Sequence, residues 1–248
     1  MAKKALLAGE SWVSYTTHVK GFDAFYTSVY EEGADTLIQA LTRGGYEVTY
    51  LPNHKAPTQF PFTMEEISQY DLVILSDIGS NTLLLHPDTF SKSIRMPNRC
   101  QLIRDYVYQG GAFLMIGGYM AFSGVDAKAK YGQTAIREVL PVQCLNTDDL
   151  MEHPEGVTPQ LLHAHPALDK LPKEWPHFLG YNKTLPLDGY DVVMTIDGDP
   201  FIAFGEFGKG RAGIFTSDCA PHWGPPEFVN WEGYDLLWKV IADYLTEK

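Results

Sequence analysis

A run of five apolar residues between two glycine pairs constrains the fold of this chain more than any other feature. The segment Gly110-Gly111-Ala112-Phe113-Leu114-Met115-Ile116-Gly117-Gly118-Tyr119 predicts a buried strand that ends in a tight elbow. An apolar run without alternation is typical of the central strands of a parallel sheet, which are buried on both faces. Such an elbow often carries the catalytic Ser or Cys of an α/β enzyme. Because Gly118 and Tyr119 stand here instead, no nucleophile is predicted at this elbow.

The first half of the chain alternates between apolar runs and amphipathic segments. Strands are predicted at residues 4–9, 47–51 and 71–76, and helices at residues 31–43 and 98–109. A glycine pair follows each of these helices, and Thr63 with Glu66 forms a capping box that opens a short helix. Strands and helices that alternate at this spacing indicate right-handed crossovers and a parallel sheet.

The second half of the chain has a different pattern. Residues 139–177 are rich in Pro, His and acidic residues and show little periodicity. Strands are predicted at residues 191–196, 201–207 and 212–217, and an amphipathic helix at residues 232–246. The short turn-forming connections between these strands favour an antiparallel extension of the sheet. Residues 1–248 are therefore predicted to form one α/β domain, with a mainly parallel central sheet and a late antiparallel extension.

Charge and composition argue against two classes of partner. The formal net charge is -12 and no basic stripe is present, so binding to nucleic acid is not expected. No segment reaches the roughly 20 apolar residues needed to cross a bilayer, so a membrane partner is not expected either. The three cysteines (Cys100, Cys144 and Cys219) have no CxxC spacing, and the apolar run at the amino terminus is too short for a signal peptide. These features favour a cytoplasmic protein.

Ligands of open parallel sheets bind beyond the carboxyl ends of the strands, where loops and helix amino termini converge. The candidate ligand-binding residues after the predicted strands are Glu10, Ser11, Trp12, Asp77, Gly79, Ser80, Asn81, Gly117, Gly118, Tyr119 and Trp223. Each residue type also has a structural interpretation, because carboxylates cap loops, small polar residues form turns and glycines allow positive φ. For Gly117 and Gly118 the functional alternative is an oxyanion hole formed by their N–H groups.

Asp218, Cys219 and His222 form the cluster with the clearest chemical potential. A Cys beside an imidazole can be held as a thiolate, and a carboxylate can orient the ring. The alternative for Cys219 is a small apolar residue at the end of a strand. His222 is also a candidate ligand contact or acid–base group, because histidine titrates near neutral pH. These three residues are the candidate catalytic residues.

No metal site and no cofactor are predicted. His163-Ala164-His165 has no third ligand at a recognised spacing, which favours a solvated loop. Asp148, Asp149 and Glu152 are interpreted as a charged surface strand rather than a paired-carboxylate site. The segment 208–211 lacks the spacing of a phosphate-binding loop.

Aromatic residues cluster around the predicted site. They are Trp12, Tyr119, Trp175, Trp223 and Trp231. Flat apolar rings with polar edges stack on sugar rings or planar ligands, and they are also common at subunit interfaces. The predicted partner is therefore a small-molecule ligand, with carbohydrate as one class, and a homo-oligomer stays open.

Six segments carry a resemblance to a known family. They are residues 110–118, residues 139–142 followed by Asp148-Asp149, residues 165–168, residues 178–183, residues 208–211 and residues 217–224. As a set they resemble the class I glutamine amidotransferase-like superfamily, and more narrowly its members of unknown function that are related to trehalose-utilisation-type proteins. The resemblance covers nearly the whole chain and implies a flavodoxin-like three-layer sandwich.

The resemblance also implies a catalytic triad, from which this chain departs. In the true amidotransferases a Cys on the elbow attacks the glutamine amide, and a His and a Glu two residues apart complete the triad. Here Gly118 or Tyr119 stands at the elbow, and Gly224 rather than Glu follows His222 at the second position. Glutaminase activity is therefore not expected.

Three hypotheses for the function follow from the sequence. In the leading one, the domain keeps the amidotransferase pocket without the triad and binds a small polar ligand, with sugars as one class. In the second, the chain is a hydrolase or transferase that uses Cys219 or His222, with Asp218 or Glu10 as the partner. In the third, it is a non-catalytic interaction subunit whose aromatic residues pack against another chain.

Overall fold

A computed structural model describes residues 2–247 of the chain. The strands are β1 (Lys3–Gly9), β2 (Ser11–Lys20), β3 (Asp23–Glu32), β4 (Tyr46–Leu51), β5 (Leu72–Ser76), β6 (Ala112–Ile116), β7 (Val142–Cys144), β8 (Leu150–Val157), β9 (Gln160–Leu161), β10 (Phe178–Asn182), β11 (Thr184–Pro186), β12 (Asp191–Ile196), β13 (Asp199–Phe207) and β14 (Gly210–Phe215). The α-helices are α1 (Asp35–Arg43), α2 (Ala56–Gln59), α3 (Met64–Ile67), α4 (Ser80–Leu84), α5 (Pro87–Lys92), α6 (Arg99–Tyr108), α7 (Pro226–Val229) and α8 (Tyr234–Thr246). Within the described residues, no helix has the length and apolar character of a membrane span.

Eight of the strands form one sheet, in the order β4-β1-β5-β6-β14-β13-β12-β9. The five strands from β4 to β14 are parallel to one another. Strands β13, β12 and β9 extend the sheet in antiparallel fashion. The predicted mainly parallel sheet with a late antiparallel extension is confirmed.

The two faces of the sheet are covered by separate apolar layers. Ile74 and Leu114 pack in one layer, together with residues of α1 and α8. Val73 and Phe113 alternate with them along the strands and pack in the other layer, together with residues of α6. Each such buried side chain contributes about 1.5–3 kcal/mol relative to an exposed one. The sheet is therefore the middle layer of a three-layer sandwich, as the resemblance implies.

Most predicted elements match the structure to within a few residues. The capping box is present, with the Glu66 N–H donating to Thr63 Oγ1 at 3.2 Å. The helix predicted at residues 31–43 is shorter than expected and begins at Asp35. Its predicted first turn belongs to β3, because Glu31 and Glu32 pair with the start of β2.

A ribbon formed by β2 and β3 was not predicted. Residues 11–20 pair with residues 23–32 in antiparallel register, through a turn at Gly21 and Phe22. The ribbon lies outside the main sheet, and nearly all of its residues are exposed. We refer to residues 11–32 as the arm.

The segment at residues 139–177, which shows little periodicity, contains three short strands. Strand β7 pairs with β11, and β8 pairs with β10. The Asn182 N–H at the end of β10 donates to the Thr216 carbonyl at 2.8 Å. This bond fixes the segment against the carboxyl end of β14.

Candidate functional site

The carboxyl ends of β1, β5, β6 and β14 meet at one edge of the sheet. Glu10 and Asp77 directly follow β1 and β5, and both have left-handed backbone conformations, with φ of 49° and 42°. The Glu10 N–H donates to the Ser76 carbonyl at 3.0 Å, which holds these two strand ends together. Asp218 follows β14 at the same edge and is buried. Residues that are far apart in sequence therefore converge here, as the rule for open sheets predicts.

Two buried carboxyl groups at this edge, Glu10 and Asp77, have pKa values shifted toward the protonated form. Burial, followed by the charges of Asp218 and Asp77, raises the pKa of Glu10 well above its ordinary value. Burial and Asp218 also raise the pKa of Asp77 to about 6, although the Met120 N–H donates to Asp77 Oδ1 at 2.6 Å and opposes this shift. Ser76 Oγ–H donates to Glu10 Oε1. The edge can therefore hold protons at pH values at which a free carboxyl group is ionised.

His222 is the basic group that faces these carboxylates. Its Nδ1 lies 3.9 Å from Asp218 Oδ2, and its side chain is 48% exposed. The interaction with the Asp218 carboxylate is the largest cause of a raised pKa of His222. The imidazole is flanked by Tyr119, stacked at 5.3 Å between ring centroids, and by Trp12 at 5.4 Å. The imidazole of His222 therefore lies between two aromatic rings and beside the carboxyl groups of Asp77 and Asp218.

Glu152 fixes the aromatic side of the site. One of its carboxylate oxygens accepts from Tyr119 Oη–H at 3.0 Å, and the other accepts from Trp223 Nε1–H at 3.1 Å. Tyr119 and Trp223 also contact each other, with ring centroids 5.4 Å apart. Glu152 is exposed on β8, as the prediction of a charged surface strand implies. It is also a positioning residue of the candidate site, because the pairing of β8 with β10 brings it here.

Cys219 lies behind this group and lacks the features of a nucleophile. The residue is fully buried, and its Sγ lies 3.9 Å from Ser76 Oγ. Burial raises the pKa of the thiol, and the nearby Glu10 and Asp218 raise it further. A reactive cysteine needs the opposite environment, with a lowered pKa and a basic or cationic neighbour. The geometry therefore favours the structural interpretation of Cys219.

The elbow after β6 has no free N–H groups at its two glycines. The Gly117 N–H donates to the Phe215 carbonyl at 2.8 Å, and the Gly118 N–H donates to Asn182 Oδ1 at 2.9 Å. Both donors are used within the protein, so neither is available to an oxyanion. Gly118 has a φ of 138°, and a Cβ at this position would lie 2.8 Å from Asp77 Oδ1. The elbow therefore cannot accept a side chain at this position without rearrangement.

Asp149 and Asn182 clamp this elbow in place. Asn182 Nδ2–H donates to the Gly118 carbonyl at 3.1 Å and to Asp149 Oδ1 at 2.9 Å. Asp149 also accepts from the Ser123 N–H at 2.7 Å and the Gly124 N–H at 2.9 Å. Asp149 is buried, so the prediction of a surface residue is wrong for it. Its carboxylate lies inside because three N–H donors around the elbow, from Ser123, Gly124 and Asn182, need an acceptor.

The remaining predicted residues on β2 and after β5 have mainly structural contacts. Ser11 is buried, and its Oγ accepts from the Asn53 N–H at 2.8 Å. Asn53 was not predicted as a site residue. Its Nδ2–H donates to the backbone carbonyl of Asp77 at 3.1 Å, which fixes the backbone of a candidate site residue. Gly79 caps helix α4 at its amino terminus, and the Ser80 N–H donates to the Ala129 carbonyl at 3.0 Å.

Asn81 is exposed on α4, and no side-chain contact joins it to His222 within residues 2–247. Two of the five predicted rim aromatics also lie elsewhere. Trp175 packs against Trp231 at 4.9 Å and against Phe201 at 6.1 Å between ring centroids. Both tryptophans belong to the apolar layer on the α8 side of the sheet. The expectation that they line the site is wrong, because sequence position alone does not show which layer a ring joins.

One group of residues at the edge has donors close enough to hold a metal ion. Ligand atoms of Glu10, Asp218 and Cys219 lie within 4.8 Å of one another, and all three residues are buried. This grouping was not predicted, because Glu10 is far from Asp218 and Cys219 in sequence. His163 and His165 both lie beside Asp191: His163 Nε2 is 2.7 Å from its Oδ1, and His165 Nε2 is 3.7 Å from its Oδ2. His165 is buried against Phe204.

A depression lies at the opposite edge of the sheet. It has a volume of about 610 Å³ and is lined in part by Gly110, Gly111 and Lys209, which precede β6 and β14. Its lining is mainly turn backbone and exposed side chains, such as Glu206. The carboxyl edge instead gathers buried titratable groups around a half-exposed histidine, which is the pattern of functional sites. We therefore place the candidate site at the carboxyl edge.

Solved structures with similar folds extend over the whole chain. Two cytoplasmic proteins from Salmonella typhimurium are 43% and 44% identical, with a TM-score of 0.95 for each. Each alignment covers 98% of this chain, and 99% and 100% of the respective relatives. A ThuA-like protein from Parabacteroides merdae is 13% identical with a TM-score of 0.58, over 99% of this chain and 90% of its own, and so shares the fold. No curated protein is significantly similar to the chain.

The family assignment rests on a match over almost the entire sequence. Residues 4–247 match the family model described as Putative glutamine amidotransferase (GATase1_like). The match includes the strand ends that form the candidate site, and it agrees with the resemblance found in the sequence. The chain therefore belongs to this glutamine amidotransferase-like family.

Proposed function

We propose that this chain binds a small hydroxyl-rich, sugar-like ligand at the carboxyl edge of its sheet and has no glutaminase activity. The observation that carries the proposal is the position of His222, between Trp12 and Tyr119 and above the buried carboxylates. Aromatic rings stack on the apolar faces of sugars. Carboxyl groups near their pKa can both donate to and accept from hydroxyl groups.

The absence of glutaminase activity follows from the elbow and from Cys219. Glycine occupies the elbow, and its conformation leaves no room for a Cβ. Cys219, the cysteine at this edge of the sheet, has a raised pKa in an acidic environment. Incubation with glutamine should release no ammonia above the background. Ammonia release that is lost on Cys219→Ala or His222→Ala would overturn this part of the proposal.

Ligand binding can be tested by thermal shifts with neutral monosaccharides and polyols at millimolar concentration. For a chain of this size, about 1 kcal/mol of ligand stabilisation raises the Tm by roughly 2–4 °C. We expect at least one sugar to give such a shift, and we expect His222→Ala to abolish it.

His163→Ala is the matched control for this experiment. His163 is also 48% exposed and also pairs with an aspartate, Asp191, but it lies outside the site. This variant should keep the full thermal shift. If no sugar shifts the Tm, or if both variants lose the shift equally, the proposal is wrong.

A specific observation also favours an acid–base enzyme as a second candidate. His222 pairs with Asp218 and has a raised pKa, while the neighbouring Asp77 has a pKa of about 6. A histidine with a raised pKa beside a carboxyl group with a pKa of about 6 is suited to general acid and general base roles. Turnover of p-nitrophenyl glycosides that depends on both His222 and Asp77 would support this candidate. Sugar binding without any turnover would leave the chain a binding protein.

The names of the two Salmonella relatives also agree with the sequence analysis on location. Both relatives are described as cytoplasmic proteins, and both are more than 40% identical to this chain. A cytoplasmic location is also what the spacing of the cysteines favours. The proposed ligand is accordingly a metabolite of the cytoplasm.

A further inference from the structure

The two faces of the arm differ in chemistry. The cross-strand register places Val13 opposite Tyr30, Tyr15 opposite Ser28 and Thr17 opposite Tyr26. Because side chains alternate along a strand, these residues share one face. Beyond the base of the arm, the face consists of Val13, Tyr15, Thr17, Val19, Ala24, Tyr26, Ser28 and Tyr30, none of which is charged. Its one charged residue is Glu32 at the base, which pairs with Ser11 and accepts a hydrogen bond from Tyr30 Oη–H. We refer to these eight residues as the tyrosine face.

The opposite face of the arm is covered by its own polar side chains. Trp12 Nε1–H donates to Glu31 Oε2 at 2.9 Å, near the base of the arm. His18 stacks on Phe25 at 4.4 Å between ring centroids, and Lys20 Nζ lies 5.7 Å from the same ring. The aromatic rings of Trp12 and Phe25 on this side therefore have partners within the arm.

The tyrosine face has no comparable cover. Tyr15 is 82% exposed, Tyr26 is 76% exposed and Val19 is 69% exposed, and Phe22 at the tip is fully exposed. An isolated two-stranded ribbon is marginally stable in water, because it lacks a packed face. A strand of ten residues reaches roughly 34 Å, so the outer half of the arm extends well beyond its base. A second molecule is thus needed to bury this face.

We propose that the tyrosine face packs against the same face of a second copy of this chain, forming a two-fold symmetric dimer. Charge supports a second copy as the occupant. The chain has a net charge of -12, so most surfaces of two copies repel each other, whereas the tyrosine face is uncharged. A self-complementary contact between identical faces also closes the assembly and leaves no apolar face exposed.

The exposed area is of the size that a stable dimer needs. If a fully exposed aromatic side chain offers about 200 Å², the exposed fractions of Tyr15, Phe22, Tyr26 and Tyr30 give roughly 600 Å² per copy. Val13 and Val19 add to this area. Specific interfaces bury about 800 Å² per partner, so the tyrosine face and the tip account for most of one.

The arm is also continuous with the candidate site. Trp12 at its base contacts His222, and Glu10 directly precedes β2. Dimerisation therefore orders the strand that carries one of the two rings flanking His222. The dimer contact does not depend on the identity of the ligand, and its test is independent of sugar binding.

The test is the solution mass of the full chain, measured by light scattering during size-exclusion chromatography at micromolar concentration. The wild type should elute with twice the chain mass. The variant Tyr15→Glu/Tyr26→Glu, which places charges on the tyrosine face, should elute as a monomer. The matched control is Thr16→Glu/Thr27→Glu, because these residues pair on the opposite face of the same strands, and it should remain dimeric.

Each outcome has a defined meaning. Circular dichroism should show unchanged folding for both double variants, since the arm lies outside the main core. The variant Phe22→Ser, at the exposed tip, gives a milder second test of dissociation. A monomeric wild type overturns the proposal, as does a Tyr15→Glu/Tyr26→Glu protein that remains dimeric. Equal dissociation of the control variant overturns the assignment to the tyrosine face. Binding of monomeric wild type to neutral phosphatidylcholine vesicles would instead assign the face to a membrane.

Discussion

Asp77 and Asp149 are both buried, and burial raises the pKa of each to about 6, yet their surroundings differ. Asp149 accepts hydrogen bonds from two backbone N–H groups and from the Asn182 amide. Asp77 accepts from the Met120 N–H through Oδ1 and otherwise faces the charges of Asp218 and His222. One carboxylate is held by fixed donors, and the other lies beside a second carboxylate and an imidazole.

This difference shows that a raised pKa does not by itself identify a functional carboxylate. The same burial acts on both residues, but the donors around Asp149 leave its oxygens no freedom to meet a ligand. Asp77 accepts from one backbone N–H group and interacts electrostatically with the half-exposed His222. The partners of a buried group, rather than its pKa, therefore separate the clamp from the candidate site.

The largest expected effect comes from Asp149→Asn. The amide would present an N–H group where Asp149 Oδ2 now accepts from the Ser123 N–H at 2.7 Å. Two donors would then face each other in a buried position, and we expect the free energy of unfolding to fall by about 2–4 kcal/mol at pH 8. Urea denaturation measures this change.

Asp148→Asn is the control for this prediction, because Asp148 is the adjacent residue but is exposed. It should change the free energy of unfolding by less than about 1 kcal/mol. If Asp149→Asn were as stable as the wild type, the clamp would be unimportant and the contrast between the two aspartates would fail.

The same substitution at Asp77 should have the opposite sign. Asn keeps the acceptor for the Met120 N–H and removes a buried charge beside Asp218. The folded-state pKa of about 6 lies above the ordinary value of 3.8, so the folded wild type binds more protons than the unfolded chain. The wild-type free energy of unfolding therefore contains a part that falls as the pH rises from about 4 to above 6, on the order of 1–3 kcal/mol.

Asp77→Asn should lose that part of the pH dependence and should be more stable than the wild type at pH 8. Urea denaturation at pH 4, 6 and 8 shows the difference between the two slopes. Asp188→Asn, on an exposed loop, should leave the slope unchanged. An Asp77→Asn protein that is less stable than the wild type at pH 8 would make Asp77 a structural residue like Asp149.

The smallest effect concerns the pKa of His222. Its raised value depends first on the interaction with the Asp218 carboxylate, so Asp218→Asn should lower the pKa of His222. The pKa of His163 is raised by the Ala164 carbonyl and by Asp191, and it should not change. Titration of the two histidines by NMR gives both values in one experiment. An unchanged pKa of His222 would remove Asp218 from its role as the partner.

Much of the frame of the site could be predicted from the sequence. Apolar runs located β5 and β6, and the rule that ligands bind at the carboxyl ends of strands brought Asp77 and His222 into one hypothesis. Asp149 could not be separated from Asp148 in this way, because adjacent aspartates have the same local pattern and only the folded elbow decides which is buried. Glu152 depends in the same manner on a long-range strand pairing.

The arm could have been found from local signals. Residues 11–20 and 23–32 are rich in Thr, Val, Tyr and Phe, and they flank the turn-forming glycine Gly21. The prediction of a helix from residue 31 obscured this pattern, because Glu31 and Glu32 also suit a first helical turn. Strand pairing prevails there, since both glutamates have cross-strand partners.

The base of the arm is closed by a single bond between backbone groups: the Gly33 N–H donates to the Glu10 carbonyl at 2.8 Å. The chain leaves the domain and returns to it at almost the same point, so the sheet and α1 do not depend on what lies between. From residue 13 outward, the arm can accordingly be shortened, lengthened or exchanged during evolution with little cost to the fold. The domain thus has a site for insertions beside its candidate pocket, where members of one family can diversify independently of their shared core.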